Sequence, residues 1–115
     1  MIHKVKNSLD FDDFDSIDMR IGTVINATNF EKVNKPAYQL LIDFGTLGQL
    51  KSSAQITHLY EPNKLIGKQI VAVINIGQKK ILNFTSQCLV LGVSTQKGIL
   101  LLKPYMKIQN GSRVI

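Results

Sequence analysis

Met19-Arg20-Ile21-Gly22-Thr23-Val24-Ile25-Asn26-Ala27 sets Met19, Ile21, Thr23, Ile25 and Ala27 against Arg20, Gly22, Val24 and Asn26. A period of two is the repeat of a strand, and Gly22 marks where it bends or lets another backbone approach. Tyr38 to Phe44 is aromatic and aliphatic with almost no breaker. Gly45-Thr46-Leu47-Gly48 then frees the backbone for a reversal, and the chain runs back through Leu50, which predicts a β-hairpin. Further strands are predicted over 69 to 75 and 86 to 93. Gly98 to Leu102 gives a shorter one, followed by Pro104, a turn at Asn110-Gly111 and a last segment, Ser112 to Ile115. Two stretches read as loops: Phe30 to Lys35, polar and closed by Pro36, and Ile76 to Thr85, basic through Lys79 and Lys80.

Helical positions are fewer. Phe11, Phe14 and Ile17 recur every third residue behind Asp10, a suitable N-cap, with acids crowding the first turn. This predicts a short helix that lays its apolar stripe on the body of the protein. Ile56 to Gly67 is broken by Pro62 and ends in glycine, so it predicts a helical turn and a connector. Five main strands, near 19 to 27, 38 to 44, 49 to 54, 69 to 75 and 86 to 93, with that connector between the third and fourth, follow the order of an all-β OB-fold. This is a five-stranded Greek-key barrel whose outer face and loops often bind oligonucleotides.

Length and charge narrow the classes. At 115 residues one domain is expected: an acidic segment with the short helix over 1 to 18, the barrel over 19 to 93, and a C-terminal β extension over 94 to 115. No run approaches the roughly 18 apolar residues of a membrane span, so no membrane insertion is expected. The opening Met1-Ile2-His3-Lys4-Val5-Lys6 is not followed by an apolar signal region, which leaves the cytoplasm as the expected location. Residues 1 to 18 carry two lysines against five aspartates, a balance of −3. Residues 19 to 115 carry 12 Lys and Arg against Glu31, Asp43 and Glu61, a balance of +9. Such a body attracts polyanions such as RNA.

The candidate chemistry is binding. In Lys51-Ser52-Ser53-Ala54-Gln55 small hydroxyl and amide side chains follow a cation, a set suited to phosphate and base edges; Ser52 and Ser53 equally suit capping of the next segment. Ser52, Ser53 and Ser86 have no evident base, the glycines form no phosphate-cradling loop, and His58 and His3 stand apart without Cys or acidic neighbours. No catalytic set, metal site or cofactor is therefore expected. Cys88, the single cysteine, is followed by Leu89-Val90-Leu91 and reads as part of a core strand, with no internal disulfide possible. Ile76, Ile81 and Phe84 punctuate the basic loop. Facing outward they would hold an extended polypeptide, and facing inward they would form a lid on the barrel.

Lys35 to Gly45, Lys51 to Ile56, Tyr60 to Val73 and Leu89-Val90-Leu91-Gly92, in that order, resemble the tRNA-binding-domain family, and within it the CsaA type of secretion chaperone. The likeness runs from about Phe11 to the C-terminus. It implies an OB-fold homodimer related to the domain that follows bacterial methionyl-tRNA synthetase. Its implied ligands are tRNA for the family and unfolded or export-destined polypeptide for the CsaA branch. The implied binding positions are Lys51, Ser52, Ser53 and Gln55 on the third strand, with Asn75, Lys79 and Ser86 around the following loop; Lys80 joins them by charge. One departure stands out: Gly77-Gln78 occupies the place of a proline pair, and Leu82 that of a small residue. Gly77 loosens a loop that two prolines would stiffen. The apolar ends of the chain, Phe11, Phe14 and Ile17 with Ile99 to Leu102 and Val114-Ile115, predict the homodimer independently.

Overall fold

The structure, a computed structural model, describes residues 4–115. Its centre is a five-stranded antiparallel sheet in the order β3-β2-β1-β4-β7, made of β1 (Met19–Asn29), β2 (Tyr38–Asp43), β3 (Gln49–Ala54), β4 (Gln69–Val73) and β7 (Leu89–Val90). The hairpin β2–β3 forms as the sequence predicts, with a single 3₁₀ turn, Gly45–Leu47, inside its loop. The connector carries α2 (Pro62–Leu65), with proline in its first turn, where no helical N–H is lost; it delivers Leu65 into the core. Tyr38, Leu40, Ile42, Val24, Ile70 and Ala72 fill the barrel beside Phe44, which is fully buried. The all-β, OB-type barrel is thus the fold of the chain.

β1 does not keep one phase. Its register against β2 slips between Val24 and Asn26, so Ile25 is an extra residue in a bulge. Val24 consequently points into the core and Ile25 outward, the reverse of the simple alternation. Gly22 is required by side chains: a Cβ there would lie 2.7 Å from both Ile42 and the Phe44 ring. Before Thr23, where β2 no longer pairs with β1, its place is taken by the C-terminal segment. There Ile21 N–H donates to Ser112 O (2.9 Å) and Val114 N–H to Met19 O (2.9 Å).

Three sequence expectations need correction. The stretch 86 to 93 is not one strand: Ser86 ends β6 (Phe84–Ser86), β7 is two residues long, and β8 (Gly92–Thr95) leaves the barrel to pair with β9 (Gly98–Leu101). The basic stretch from Ile76 is not all loop, because β5 (Lys79–Ile81) and β6 form a hairpin across Leu82-Asn83. Finally, α1 (Phe11–Asp15) fully buries none of its residues: Phe11 is 88% exposed while Phe14 and Ile17 are partly covered, so the apolar stripe meets the body only in part. Asp10 occupies the N-cap position without a side-chain capping bond.

Candidate nucleic-acid interface

The edges of the barrel close through a polar seam rather than a full ladder. Opposite β3 the segment 86 to 88 offers a single backbone bond, Gln87 N–H to Lys51 O at 2.7 Å. Side chains complete the rest: Gln87 Oε1 accepts from Lys51 N–H (2.9 Å) and Ser86 Oγ accepts from Ser53 N–H (3.0 Å). Ser52 Oγ donates to Cys88 O (2.9 Å) inside the barrel. Buried strand-edge N–H groups left unpaired would each cost about 1–3 kcal/mol, so these side chains are what allows a short, irregular edge to shut the barrel.

That seam corrects the expectation for two site residues. Ser52 is 1% exposed and cannot meet a ligand; it shares the inward face with Ala54 because it pairs with Leu40. Ser86, half-buried, accepts one bond in the seam and does not line the concavity at the mouth of the barrel. Asn75 is likewise engaged elsewhere: its Oδ1 accepts from Asp18 N–H (2.9 Å) and its Nδ2 donates to Ser16 O (2.7 Å), pinning the segment after α1 to the end of β4.

The other residues meet in one place. Ser53, Gln55, Lys79, Lys80 and Ile81 line a concavity of about 480 Å³ at the mouth of the barrel, together with Lys32, Val33 and Lys35 from the loop between β1 and β2. Among the described residues the ion pairs are Arg20–Asp18 and Lys64–Glu61, so all four of these lysines are free to meet an anion. Ser53 Oγ and the Gln55 amide make no hydrogen bond within the described residues, which leaves donors and acceptors facing the same space.

Packing beneath the rim holds it in place. Phe84 lies edge-on to Phe30, ring centroids 5.4 Å apart, and with Ala37 these form a second small core against which Val33 and Ile81 pack. Phe84 is 9% exposed and Ile81 is half-buried, so of the proposed polypeptide anchors only Ile76 faces outward. The inward, lid-like alternative is the one the structure adopts. Lys51 does not line the concavity; its ammonium stands 5.5 Å from the Phe84 ring centroid, a cation–π arrangement.

Lys32 and Lys35 are absent from the sequence-based site. Their signal lay in the hairpin register: Tyr38 opposite Ala54 places the residues before Tyr38 beside Gln55. Near the seam, burial pushes the Cys88 thiol up to about 11, with the Ser52 hydroxyl pulling back in part. Such a thiol is inert as a nucleophile at neutral pH. A larger groove, about 730 Å³, lies elsewhere between α2, β4 and β9; its lining is more apolar, and it carries Lys68 and Lys103 beside Lys64, which is already paired with Glu61. With four unpaired lysines against two among the described residues, the smaller concavity is the better anion site despite its size.

The family model "Putative tRNA binding domain" matches residues 19–113. The chain is 32% identical over 108 residues to a methionine–tRNA ligase of Methanothrix thermoacetophila, a match covering 94% of this chain and 16% of the ligase. It therefore spans about 16% of the length of the curated relatives it matches first. Among solved structures, chaperone CsaA of Bacillus anthracis superposes with a TM-score of 0.89 at 46% identity, covering 95% of this chain and all of that one. The MetRS-related protein of Pyrococcus horikoshii gives 0.84 at 26% identity, covering 96% and 100%. With the barrel, its basic mouth and a family match over nearly the whole described chain, this protein belongs to the tRNA-binding-domain family.

Proposed function

We propose that the chain is a non-enzymatic module that binds folded RNA, tRNA in particular, through the basic mouth of its barrel. The observation that carries this reading is the ring of four lysines, Lys32, Lys35, Lys79 and Lys80, unpaired among the described residues, around polar groups that find no partner there either. Phosphate contacts would supply most of the affinity, and Ser53 and Gln55 would reach sugars or base edges. Among the described residues no exposed aromatic side chain lines the concavity, so shape is recognised more than stacked single strands. The test is fluorescence anisotropy with labelled tRNA, an unstructured RNA of the same length and an unfolded polypeptide, run in parallel. tRNA is expected to bind tightest; equal affinity for the unstructured RNA would contradict shape recognition.

A second reading, a chaperone that binds unfolded or export-destined polypeptide, is favoured by the larger groove, where Leu59 and Leu100 present exposed apolar side chains. In that reading the site lies there, away from Ile81 and Phe84, and the polypeptide would win the same titration. Either function would be carried out in the cytoplasm by a homodimer. Exposed Phe11, Phe14, Ile17, Leu102 and Ile115 are the apolar surface that a two-fold interface would cover. Sedimentation is expected to give twice the 12.8 kDa chain mass at micromolar concentration, and a monomer mass would refute the dimer.

A further inference from the structure

Resting on the reading that the basic mouth binds RNA, we infer that the concavity is a pocket for one unpaired nucleotide swung out of a folded RNA. The chemistry of the lining, rather than enclosure, separates this from a surface that only tracks phosphates, for which cations alone would suffice. Three elements border the open concavity of about 480 Å³: the loop before β2, the end of β3 and the β5–β6 hairpin.

The wall chemistry is mixed in the way a nucleotide is mixed. Val33, Ile81 and Leu82 offer apolar surface for the face of a base. The Gln55 amide offers a donor and an acceptor to a base edge, and Ser53 Oγ lies in the same lining, suited to a sugar or base polar group. Around them the ammonium groups of Lys32, Lys35, Lys79 and Lys80 suit the flanking phosphates. Drawing a base out of a helix costs a few kcal/mol and least where it is already unpaired. The pocket therefore selects bulges, loops and ends over continuous duplex.

Two RNA hairpins test this, identical except that one carries a single bulged 2-aminopurine in its stem. The parent protein is expected to bind the bulged hairpin at least about tenfold more tightly than the paired one, a difference of ~1.4 kcal/mol. Binding is also expected to change the 2-aminopurine fluorescence. Gln55→Ala, an exposed position whose loss leaves the fold unchanged, is expected to bring the bulged hairpin to within about threefold of the paired one. Gln55→Glu, which places a carboxylate among the phosphates, is expected to weaken the bulged hairpin further. Equal binding of both hairpins by the parent overturns the nucleotide pocket and leaves RNA binding standing, whereas no binding to either hairpin or to tRNA overturns both. An undiminished bulge preference in Gln55→Ala overturns the pocket as drawn here.

Discussion

Cys88 ties the chemistry of one side chain to the stability of the barrel seam. Burial keeps its thiol neutral in the fold, with a pKa pushed up to about 11 from an ordinary 9.0. Below pH 9.0 both states hold most of the proton and the contribution is present. Between the two values the unfolded chain has lost a proton that the folded chain keeps, so stability falls as pH rises. Denaturant unfolding under reducing conditions at pH 8 and pH 10.5 should show the parent losing on the order of 2 kcal/mol more than Cys88→Ala; equal losses would mean the thiol is not buried as described. Cys88 was legible as core because Leu89-Val90-Leu91 follows it. Ser52 was equally legible in principle: the alternation Leu50, Ser52, Ala54 opposite Ile42, Leu40 and Tyr38 puts its hydroxyl inside. Polarity outweighed periodicity in the sequence reading, because a buried serine announces itself only through the partner that satisfies it. That partner, the Cys88 carbonyl, is 36 residues away.

The β5–β6 hairpin decides where two of the four lysines stand. It shares no backbone ladder with the barrel sheet and is held through Phe84 against Phe30 and Ala37, with Ser86 bonded to β3. Phe84→Ser removes an aromatic ring from a buried site and should cost about 3 kcal/mol. It should also weaken tRNA binding, because Lys79 and Lys80 lose their platform. Thermal melts and anisotropy on the same variant check both. A variant that melts lower yet binds tRNA like the parent would show that the hairpin does not position the lysines. Sequence patterning could not reveal this element: Lys79-Lys80-Ile81 has no apolar alternation, and its turn uses Leu82 at φ 55°, a conformation leucine rarely adopts. Its pairing comes from tertiary contacts, and tertiary packing likewise decides α1, whose apolar spacing is genuine but only partly covered among the described residues.

At the scale of the whole molecule, the separation of charge was plain in the sequence, and so was the five-strand order, because each main strand carried its own turn signals. The convergence of Lys32 and Lys35 with Lys79 and Lys80 was not, since it depends on the barrel bringing residues more than 40 positions apart to one mouth. That convergence is the central claim. Its most direct test is the salt dependence of tRNA affinity, compared for the parent, for a variant with Lys32, Lys35, Lys79 and Lys80 all changed to alanine, and for a control with Lys64, Lys68 and Lys103 changed instead. Every phosphate deprived of its lysine should lower the slope of log affinity against log salt by about 0.7 to 0.9. The mouth variant is expected to show a slope shallower by about three, while the control stays near the parent. A mouth variant that keeps the parental slope while the control's becomes shallower would contradict the account and move the RNA to the larger groove.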